Sequence, residues 1–439
     1  MPWLDLPACC CSTSPSDFAL LSSRGSNDNT AVRSSSSRGK TFDLKRPAAN
    51  PRLWWLDPKI TFLNHGSFGA CPKAVLEYQN ELRIRLEREP VAFMVRELEP
   101  LLDKARGALA KFVGARANDL VFVRNATSGV NAVLRSLEFN AGDEILVTDH
   151  EYNACRNVVD FVANRSGARV VVAPIPFPVA NEDQIINPIL ERVTQRTRIA
   201  LIDHVTSQTA LVMPIERIVR ELESRNVPVL VDAAHAPGMV PLNLKQLGAS
   251  YYTGNCHKWI CAPKGAALLH VREDRQHEIR PTVISHGANS PRKDRSRFQI
   301  EFGWAGTWDP TAMLSVPTAL EFIGKLQTGG WREVMQRNHA LALAGRELLC
   351  KTLQVAPPCP DAMIGSIASI PISDGKTTKP PKTPLYLDPL QEALFKKWRI
   401  EVPVIPWPAP PKRLLRISSQ LYNSLPQYER LAEALANLL

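Results

Sequence analysis

Long hydrophobic runs are missing from this 439-residue sequence. No apolar stretch reaches the roughly 18 residues that a membrane-spanning helix needs, and none has the form of a signal-peptide core. Hydrophobic residues make up 44% and charged residues 22% of the chain, as in ordinary globular proteins. We therefore expect a globular protein of the cytoplasm with no membrane partner.

Metal-binding patterns are missing as well. The nine cysteines show no CxxC motif and no Cys/His spacing of the kind that holds zinc. Three of them, Cys9, Cys10 and Cys11, stand together near the N-terminus. The odd number and the scattered positions of the rest predict free thiols in a reducing compartment and no metal site.

An organised basic surface is also missing, although the net charge is +10. Basic residues are scattered among acids, and no basic stripe interleaved with aromatic residues stands out, so no nucleic-acid partner is expected. The main local concentration of positive charge is the run at residues 291–297. Two interpretations of this run stay open: a solvated loop, or a clamp for an acidic substrate.

Residues 1–48 are rich in Ser, Arg and Asn. Such a segment cannot bury enough apolar surface to fold alone, so we expect a disordered extension or a start codon placed too early. A transit peptide is disfavoured, because these peptides are poor in acids and the segment contains Asp5, Asp17 and Asp28.

Between residues 112 and 271, short apolar strand-like runs alternate with helical stretches. This alternation predicts an α/β fold in which a mostly parallel sheet is flanked by helices. Ligands of such sheets bind beyond the carboxyl ends of the strands. Polar residues follow five predicted strands at that edge, at positions 125–128, 149–150, 203–207, 232–235 and 255–258.

The sequence pattern changes beyond residue 317, where helical stretches come first and short strands later. This order predicts a smaller α+β domain at residues 317–439. The large α/β domain would span residues 49–316, with its N-terminal segment, residues 49–70, near the site. No internal repeats occur.

Lys258 and Asp232 are the two residues whose chemistry indicates a cofactor site. Lys258 follows a predicted strand in a small polar turn, and a partly desolvated lysine on rigid structure can be neutral and nucleophilic, as a Schiff base requires. Asp232 ends a strand, where it is either a helix cap or a buried acid that needs a cationic partner. The protonated ring nitrogen of pyridoxal phosphate is such a partner, and His235 lies three residues on, able to hydrogen-bond the phenolic oxygen of the same ring.

A candidate phosphate site lies at residues 125–131, which join a strand to a helix. Thr127 or Ser128 can cap that helix. The same free N–H groups and hydroxyls also form an anion site that suits a phosphate.

Taken in chain order, these residues resemble the class V aminotransferase family of fold type I pyridoxal phosphate enzymes. The similarity runs from about Asn64 to Asn423 and includes Thr127–Ser128, Asp149–His150, Ser207, Asp232 with His235, His257–Lys258, Gly306–Thr307 and Arg416. Motifs at residues 64–69, 149–153, 203–207, 254–259 and 416–423 resemble, more narrowly, the isopenicillin N epimerase-like branch.

The resemblance implies a role for each matching residue. Lys258 would carry the cofactor as a Schiff base and shuttle the α-proton, and Asp232 would pair with the pyridine nitrogen. His150 would stack on the ring, with Tyr152 as the alternative. The remaining roles are these: Ser207 and His235 at the phenolic oxygen, Thr127, Ser128 and His257 at the phosphate, Thr307 at the phosphate of the neighbouring subunit in a homodimer, and Arg416 at the substrate carboxylate.

The implied activity is chemistry at the α-carbon of an amino-acid substrate, first of all epimerisation or racemisation. A C–S or other β-lyase and an aminotransferase are the alternatives. A cysteine desulfurase is disfavoured, because the family's desulfurases carry a nucleophilic cysteine shortly before the carboxylate-binding arginine, and no cysteine occurs between Pro389 and Arg416. A non-catalytic relative is disfavoured because Lys258 and Asp232 are both present.

Overall fold

The computed structural model describes residues 41–383 and 386–439. The strands in this part of the chain are β1 (Thr61–Phe62), β2 (Leu120–Val123), β3 (Glu144–Thr148), β4 (Arg169–Ala173), β5 (Thr197–Asp203), β6 (Val229–Asp232), β7 (Tyr251–Asn255), β8 (Ala267–Val271), β9 (Ile367–Ile372), β10 (Ile400–Glu401), β11 (Val404–Pro406) and β12 (Arg413–Ser418). The helices are α1 (His65–Phe68), α2 (Lys73–Arg88), α3 (Leu98–Val113), α4 (Ala126–Ser136), α5 (Asn153–Ser166), α6 (Asp183–Glu191), α7 (Ile215–Glu223), α8 (Leu244–Leu247), α9 (Arg297–Gly303), α10 (Thr311–Leu314), α11 (Val316–Lys325), α12 (Gly330–Leu353), α13 (Pro389–Trp398) and α14 (Leu425–Leu438).

Seven strands form the central sheet, in the order β2-β8-β7-β6-β5-β3-β4. Strands β3 to β7 run parallel, whereas β8 is antiparallel to both of its neighbours. Alternate residues of a strand enter different hydrophobic clusters: Ile199 and Leu201 lie in one, Ala200 and Ile202 in the other. Because successive side chains point to opposite faces, this alternation shows that both faces are covered. The predicted α/β architecture is confirmed.

The helices bury apolar residues at helical spacing. In α7 the buried residues are Ile215, Ile218, Val219 and Leu222, which form one face of the helix. The start of α4 is fixed by Asn125, whose side chain accepts a hydrogen bond from the Ser128 N–H at 2.8 Å. Among the described residues, no helix combines the length and the apolarity needed to cross a membrane.

A second, three-stranded antiparallel sheet has the order β11-β12-β9. Helices α12 and α14 pack against each other beside it. The short parallel pair of β1 and β10 connects the beginning of the described chain to this C-terminal region. Residues Phe42–Leu439 form one compact unit, and the division between residues 316 and 317 stays a prediction.

The predicted extension, residues 1–48, falls mainly on residues 1–40, which lie outside the described residues. Its last residues form hydrogen bonds that include Leu425 N to Leu44 O at 2.8 Å, Arg337 Nη2 to Arg46 O at 3.0 Å, and Ala48 N to Leu421 O at 2.8 Å. Backbone groups of residues 44–48 thus bond to the C-terminal part of the chain, and the boundary at residue 48 stays a prediction.

Candidate active site

The carboxyl ends of β5, β6 and β7 bring the main candidate residues together. Asp203 ends β5 and is the register partner of Asp232, which ends β6 and pairs in turn with Thr253 of β7. Lys258 follows three residues after the end of β7. Since these strands are parallel neighbours, the two carboxyl groups and the lysine gather at one edge of the sheet, where ligands of α/β proteins bind.

The amine of Lys258 faces a histidine rather than an acid. Its Nζ lies 2.9 Å from Nε2 of His235. Burial lowers the pKa of Lys258 to about 7, and the nearby charge of Arg416 acts in the same direction. A large fraction of the amine is therefore neutral near pH 7, as a nucleophile or a base must be.

The proton on His235 can be assigned from its partners. The indole N–H of Trp259 is a donor only, and it points to His235 Nδ1 at 3.4 Å. Burial holds the pKa of His235 well below its usual value, so the ring is neutral and carries its proton on Nε2. That N–H donates to the Lys258 amine, which fits a neutral lysine.

His65 also holds the Lys258 turn, although no role follows for it from the sequence alone. Its Nε2 lies 2.9 Å from the carbonyl oxygen of Lys258, and its Nδ1 lies 2.8 Å from the hydroxyl of Tyr422. The Tyr422 hydroxyl thus donates to Nδ1, and Nε2–H donates to the carbonyl. The motif that contains His65 was a signal for the family, but only the fold shows what its imidazole touches.

Gly69 permits this close approach of residues 64–69 to the lysine. Its φ is +71°, and a Cβ at this position would lie 2.0 Å from the carbonyl oxygen of His257. Any other residue would push the backbone away. Residues 64–69 therefore pack against the lysine turn, and the placement of the whole segment 49–70 near the site stays a prediction.

Asp232 lies in a cluster of acidic groups. One of its oxygens accepts from the Cys155 thiol at 3.0 Å and the other from the Ala234 N–H at 3.0 Å. Glu151 and Asp203 are buried beside it, and burial raises the pKa of all three carboxyl groups. The sequence places Asp203 at a strand end, but it does not reveal that Glu151 and Cys155 join the group.

Arg416, on β12, is a buried cation without an acidic partner in the part of the chain that the structure describes. Its guanidinium donates to Ser207 O at 2.6 Å and to Ser67 Oγ at 2.9 Å, while its Nε–H has no partner. Burial lowers the pKa of Arg416 to about 10. The hydroxyl of Ser207 lies 3.3 Å from Arg416 Nη1, and its contact with the cofactor's phenolic oxygen stays a prediction.

His150 is enclosed by protein, and its stacking on the cofactor stays a prediction. The imidazole ring is fully buried. Its Nε2 donates to Ile175 O at 3.1 Å, and its Nδ1 accepts from the Thr209 hydroxyl at 2.8 Å. The ring of Trp407 packs against it, with the ring centroids 4.7 Å apart. The alternative, Tyr152, is 42% exposed; partial burial raises its pKa, and the neighbouring Cys155 and Asp232 act in the same direction, whereas Arg416 opposes them. Tyr152 is the aromatic ring that remains open beside Asp232 and Arg416.

The predicted phosphate ligands lie on three segments. Thr127 and Ser128 form the first turn of α4, where Ser128 also donates its N–H and hydroxyl to Asn125. His257 lies in the lysine turn, with Nδ1 3.4 Å from Ala266 O. Thr307 is exposed on the loop between α9 and α10. The homodimer and the contribution of Thr307 to a neighbouring site stay predictions.

The basic run at residues 291–297 is tied to acids of its own chain. Arg292 makes a bidentate contact with Glu99 at 2.6 and 2.8 Å, and Arg295 contacts Asp103 at 3.1 and 3.2 Å. Arg297 pairs with Glu301. The hypothesis that these arginines clamp an acidic substrate is therefore not supported, because each guanidinium is already engaged.

The fold and the site together define an enzyme with a buried lysine at the strand ends of an α/β sheet. The sequence matches the family described as Aminotransferase class-V over residues 72–377. The chain belongs to the class V aminotransferase family, and the predicted family is confirmed. It is an enzyme that uses pyridoxal phosphate, the cofactor of this family, as predicted.

Relatives with two different activities are similar to the chain. An isopenicillin N epimerase from Amycolatopsis lactamdurans is 36% identical over 397 residues, which cover 87% of this chain and 96% of the relative. A probable chloroplastic L-cysteine desulfhydrase from Arabidopsis thaliana is 32% identical over 410 residues, covering 87% and 84%. A solved cystine C–S lyase, in complex with its product cysteine persulfide, has a TM-score of 0.72 at 23% identity, covering 87% of this chain and 98% of that one, and shows the common fold.

The residues present fit the cofactor. The unpaired Asp203 Oδ2 and the neighbouring Asp232 are buried acids with no cation in hydrogen-bonding contact among the described residues, which suits a protonated pyridine nitrogen. The Lys258 amine, with its lowered pKa, suits a Schiff base.

Proposed function

We propose that this enzyme epimerises an amino-acid centre by removing and returning the proton on its α-carbon, in the manner of isopenicillin N epimerase. The Lys258 amine carries this proposal, because it is held at 2.9 Å from His235 in a form that can accept a proton. When bound, pyridoxal phosphate withdraws electrons from the α-carbon and makes its proton acidic.

Arg416 binds the carboxylate of the substrate in this proposal. Its guanidinium is buried, fixed by Ser207 and Ser67, and without an acidic partner in the described part of the chain. A substrate α-carboxylate would provide the missing charge and accept two parallel hydrogen bonds. Lys258 then faces the α-carbon from a fixed direction, which is the alignment that proton transfer needs.

Asp232 and Tyr152 support the same site. Asp232 holds a negative charge where the pyridine nitrogen would bind, and Tyr152 covers the ring. His235 donates from Nε2 and stands at the phenolic oxygen as well as at the amine. Thr127, Ser128 and His257 are proposed for the phosphate, and Thr307 for the phosphate of the partner in a homodimer. Lys258 Nζ is the atom that takes the α-proton from one face of the α-carbon, and inversion requires a proton to be delivered to the opposite face.

A C–S lyase is the second candidate, because L-cysteine desulfhydrases of plants are 29–32% identical over 87% of this chain. Both reactions begin with loss of the α-proton. In the lyase a sulfur leaves from the next carbon, whereas in the epimerase the proton returns from the other side.

Incubation of the holoenzyme with a panel of amino acids in deuterated water tests the choice. An epimerase yields both stereoisomers with deuterium at the α-carbon and no loss of the side chain. A lyase yields ammonia and a keto acid, together with sulfide from cysteine or with a persulfide from cystine. A keto acid that keeps the side chain of its substrate would indicate an aminotransferase and contradict both proposals.

A further inference from the structure

Three carboxyl groups are buried together beside the catalytic lysine. Glu151, Asp203 and Asp232 are 7%, 3% and 1% exposed. Asp203 and Asp232 are register partners on neighbouring strands. One terminal atom each of Glu151, Cys155 and Asp232 lie within 4.8 Å of one another. The cluster thus extends from β5 and β6 to the loop that follows β3.

This cluster has too few positive neighbours for three anions. Among the described residues, no lysine or arginine forms an ion pair with any of the three acids. Arg156 is engaged with Asp160 at 2.9 Å, and Lys258 faces His235. The other titratable groups around the cluster are Tyr152, Cys155 and Tyr252.

Two oxygens of the cluster, Glu151 Oε2 and Asp203 Oδ2, have no hydrogen-bond partner within the part of the chain that the structure describes. A buried, unpaired carboxylate oxygen is costly, and a second negative charge next to it adds to the cost. Burial and the neighbouring carboxyl groups raise the pKa of Glu151 and of Asp203 well above their usual values. Both groups therefore favour the protonated form.

We propose that Glu151 and Asp203 are positioning residues that stand as neutral acids beside Asp232, so that the cluster presents a single negative charge to the cofactor's ring nitrogen. The inference rests on the proposed pairing of Asp232 with that nitrogen. A protonated pyridine carries one positive charge, which one carboxylate compensates. Three carboxylates would leave two buried charges without a partner.

The arrangement has a consequence for stability. In the unfolded chain Glu and Asp are ionised near pH 7, since their ordinary pKa values are about 4. A group that is neutral in the native protein must take up a proton when the chain folds. Its contribution to stability is fully present below the ordinary pKa and is lost as the pH rises toward the raised pKa of the native state.

Glu151→Gln tests this directly, because a neutral amide resembles a protonated carboxyl group. The unfolding constant of the holoenzyme is measured in denaturant at several pH values from mildly acidic to neutral. Each proton that the chain takes up on folding makes the unfolding constant change tenfold per pH unit. The variant binds one proton fewer on folding, so this tenfold change should be absent. The variant should therefore show a shallower pH dependence and a midpoint at neutral pH that is equal to or above that of the wild type.

Glu144→Gln is the matched control. Glu144 is also buried, but it is paired with Arg169 at 2.6 Å and with Thr194 at 2.5 Å, so a neutral amide at this position would lose an ion pair. Its amide variant should lower the midpoint at neutral pH, the opposite sign. Asp203→Asn provides a second test within the cluster should Glu151→Gln fail to fold.

The outcomes separate this inference from the proposed function. Unchanged pH slopes in both Glu151→Gln and Asp203→Asn, with lower midpoints at neutral pH, would overturn it. The role of Asp232 is read from the cofactor's visible absorbance, titrated against pH in Asp232→Asn. A shallower pH dependence of unfolding in the cluster variants, together with an absorbance titration in Asp232→Asn that equals that of the wild type, would refute the pairing of Asp232 with the ring nitrogen. The conclusion that Glu151 and Asp203 take up protons on folding would still hold.

Discussion

The loop at residues 291–297 and the site around Lys258 both contain arginine, and they use it in opposite ways. On the loop, Arg292 and Arg295 face Glu99 and Asp103 in short, partly exposed ion pairs. In the site, Arg416 is buried and contacts only a carbonyl oxygen and hydroxyl groups within the described chain. The number of basic residues in a segment therefore does not indicate where a substrate binds. A buried basic residue without an acidic partner is the better indicator.

The same contrast holds for acids. Glu144, at the opposite end of β3, has its arginine, while Glu151, Asp203 and Asp232 share no cation. Exposed ion pairs contribute roughly 0–1 kcal/mol, and a buried charge without a partner is tolerated only where something else balances it. The proposed pairing of Asp232 with the cofactor and of Arg416 with the substrate would supply this balance.

Removal of Lys258 is expected to have the largest effect on the site. Lys258→Ala should reduce turnover by about 10³-fold or more, since it removes both the attachment point of the cofactor and the base. Borohydride should no longer fix the cofactor to the chain, as judged by mass spectrometry. The exposed Lys245 provides the control, because Lys245→Ala should keep the reducible attachment.

Loss of Arg416 should come next. Arg416→Ala is expected to raise KM for every amino acid by about 100-fold, which corresponds to the 2–3 kcal/mol of a charge-assisted hydrogen-bond pair. Arg416→Lys should recover only part of this, because a lysine cannot bind a carboxylate through two parallel bonds. Steady-state kinetics of the two variants measure this change in KM. An unchanged KM in Arg416→Ala would mean that the substrate carboxylate binds elsewhere.

The reactivity of Lys258 should depend on pH in a way that sets it apart from surface lysines. Its pKa is lowered to about 7, so the neutral amine increases about tenfold per pH unit below pH 7 and levels off above it. The rate at which cofactor-free protein takes up pyridoxal phosphate should follow this curve. A rate that rises up to about pH 10 would show an ordinary, solvated amine.

The smallest effect is expected on the basic loop. Arg292→Ala and Arg295→Ala should each lower the free energy of unfolding by about 1 kcal/mol or less, since partly exposed ion pairs are weak. KM should stay the same for acidic and neutral amino acids. An increase in KM confined to acidic substrates would revive the clamp hypothesis and break the contrast between the two regions.

The central sheet could be predicted because each strand carries a local apolar pattern. All seven of its strands lie among the apolar runs of the sequence, and Lys258 and Asp232 follow from their places at or just beyond strand ends, whereas Arg416, which lies within β12, follows from the family resemblance. In the C-terminal region, short strands are predicted late in the chain, but β9, which pairs with β12, is missed. Its sequence, Ile367–Ile372, is short and lies between loops, and only the pairing with β12 explains why it is extended.

The candidate site was predictable as single residues and not as contacts. His65 lies 193 residues before the carbonyl group that it binds, and no local pattern reports such a bond. The choice between His150 and Tyr152 depends on which ring the fold leaves open, and Trp407, far along the chain, covers His150. The charge of the acidic cluster likewise depends on burial, which appears only in three dimensions.

The hydrogen bonds of His65 also constrain the order in which a newly made chain can become active. They join the carbonyl of Lys258 to Tyr422, so one of the first folded segments is completed by one of the last. A ribosome releases these parts in sequence order, so His65 gains the hydroxyl of Tyr422 only when the chain beyond β12 has emerged. A nascent chain that stops before residue 422 therefore lacks the hydrogen bond that supports His65 against the Lys258 turn.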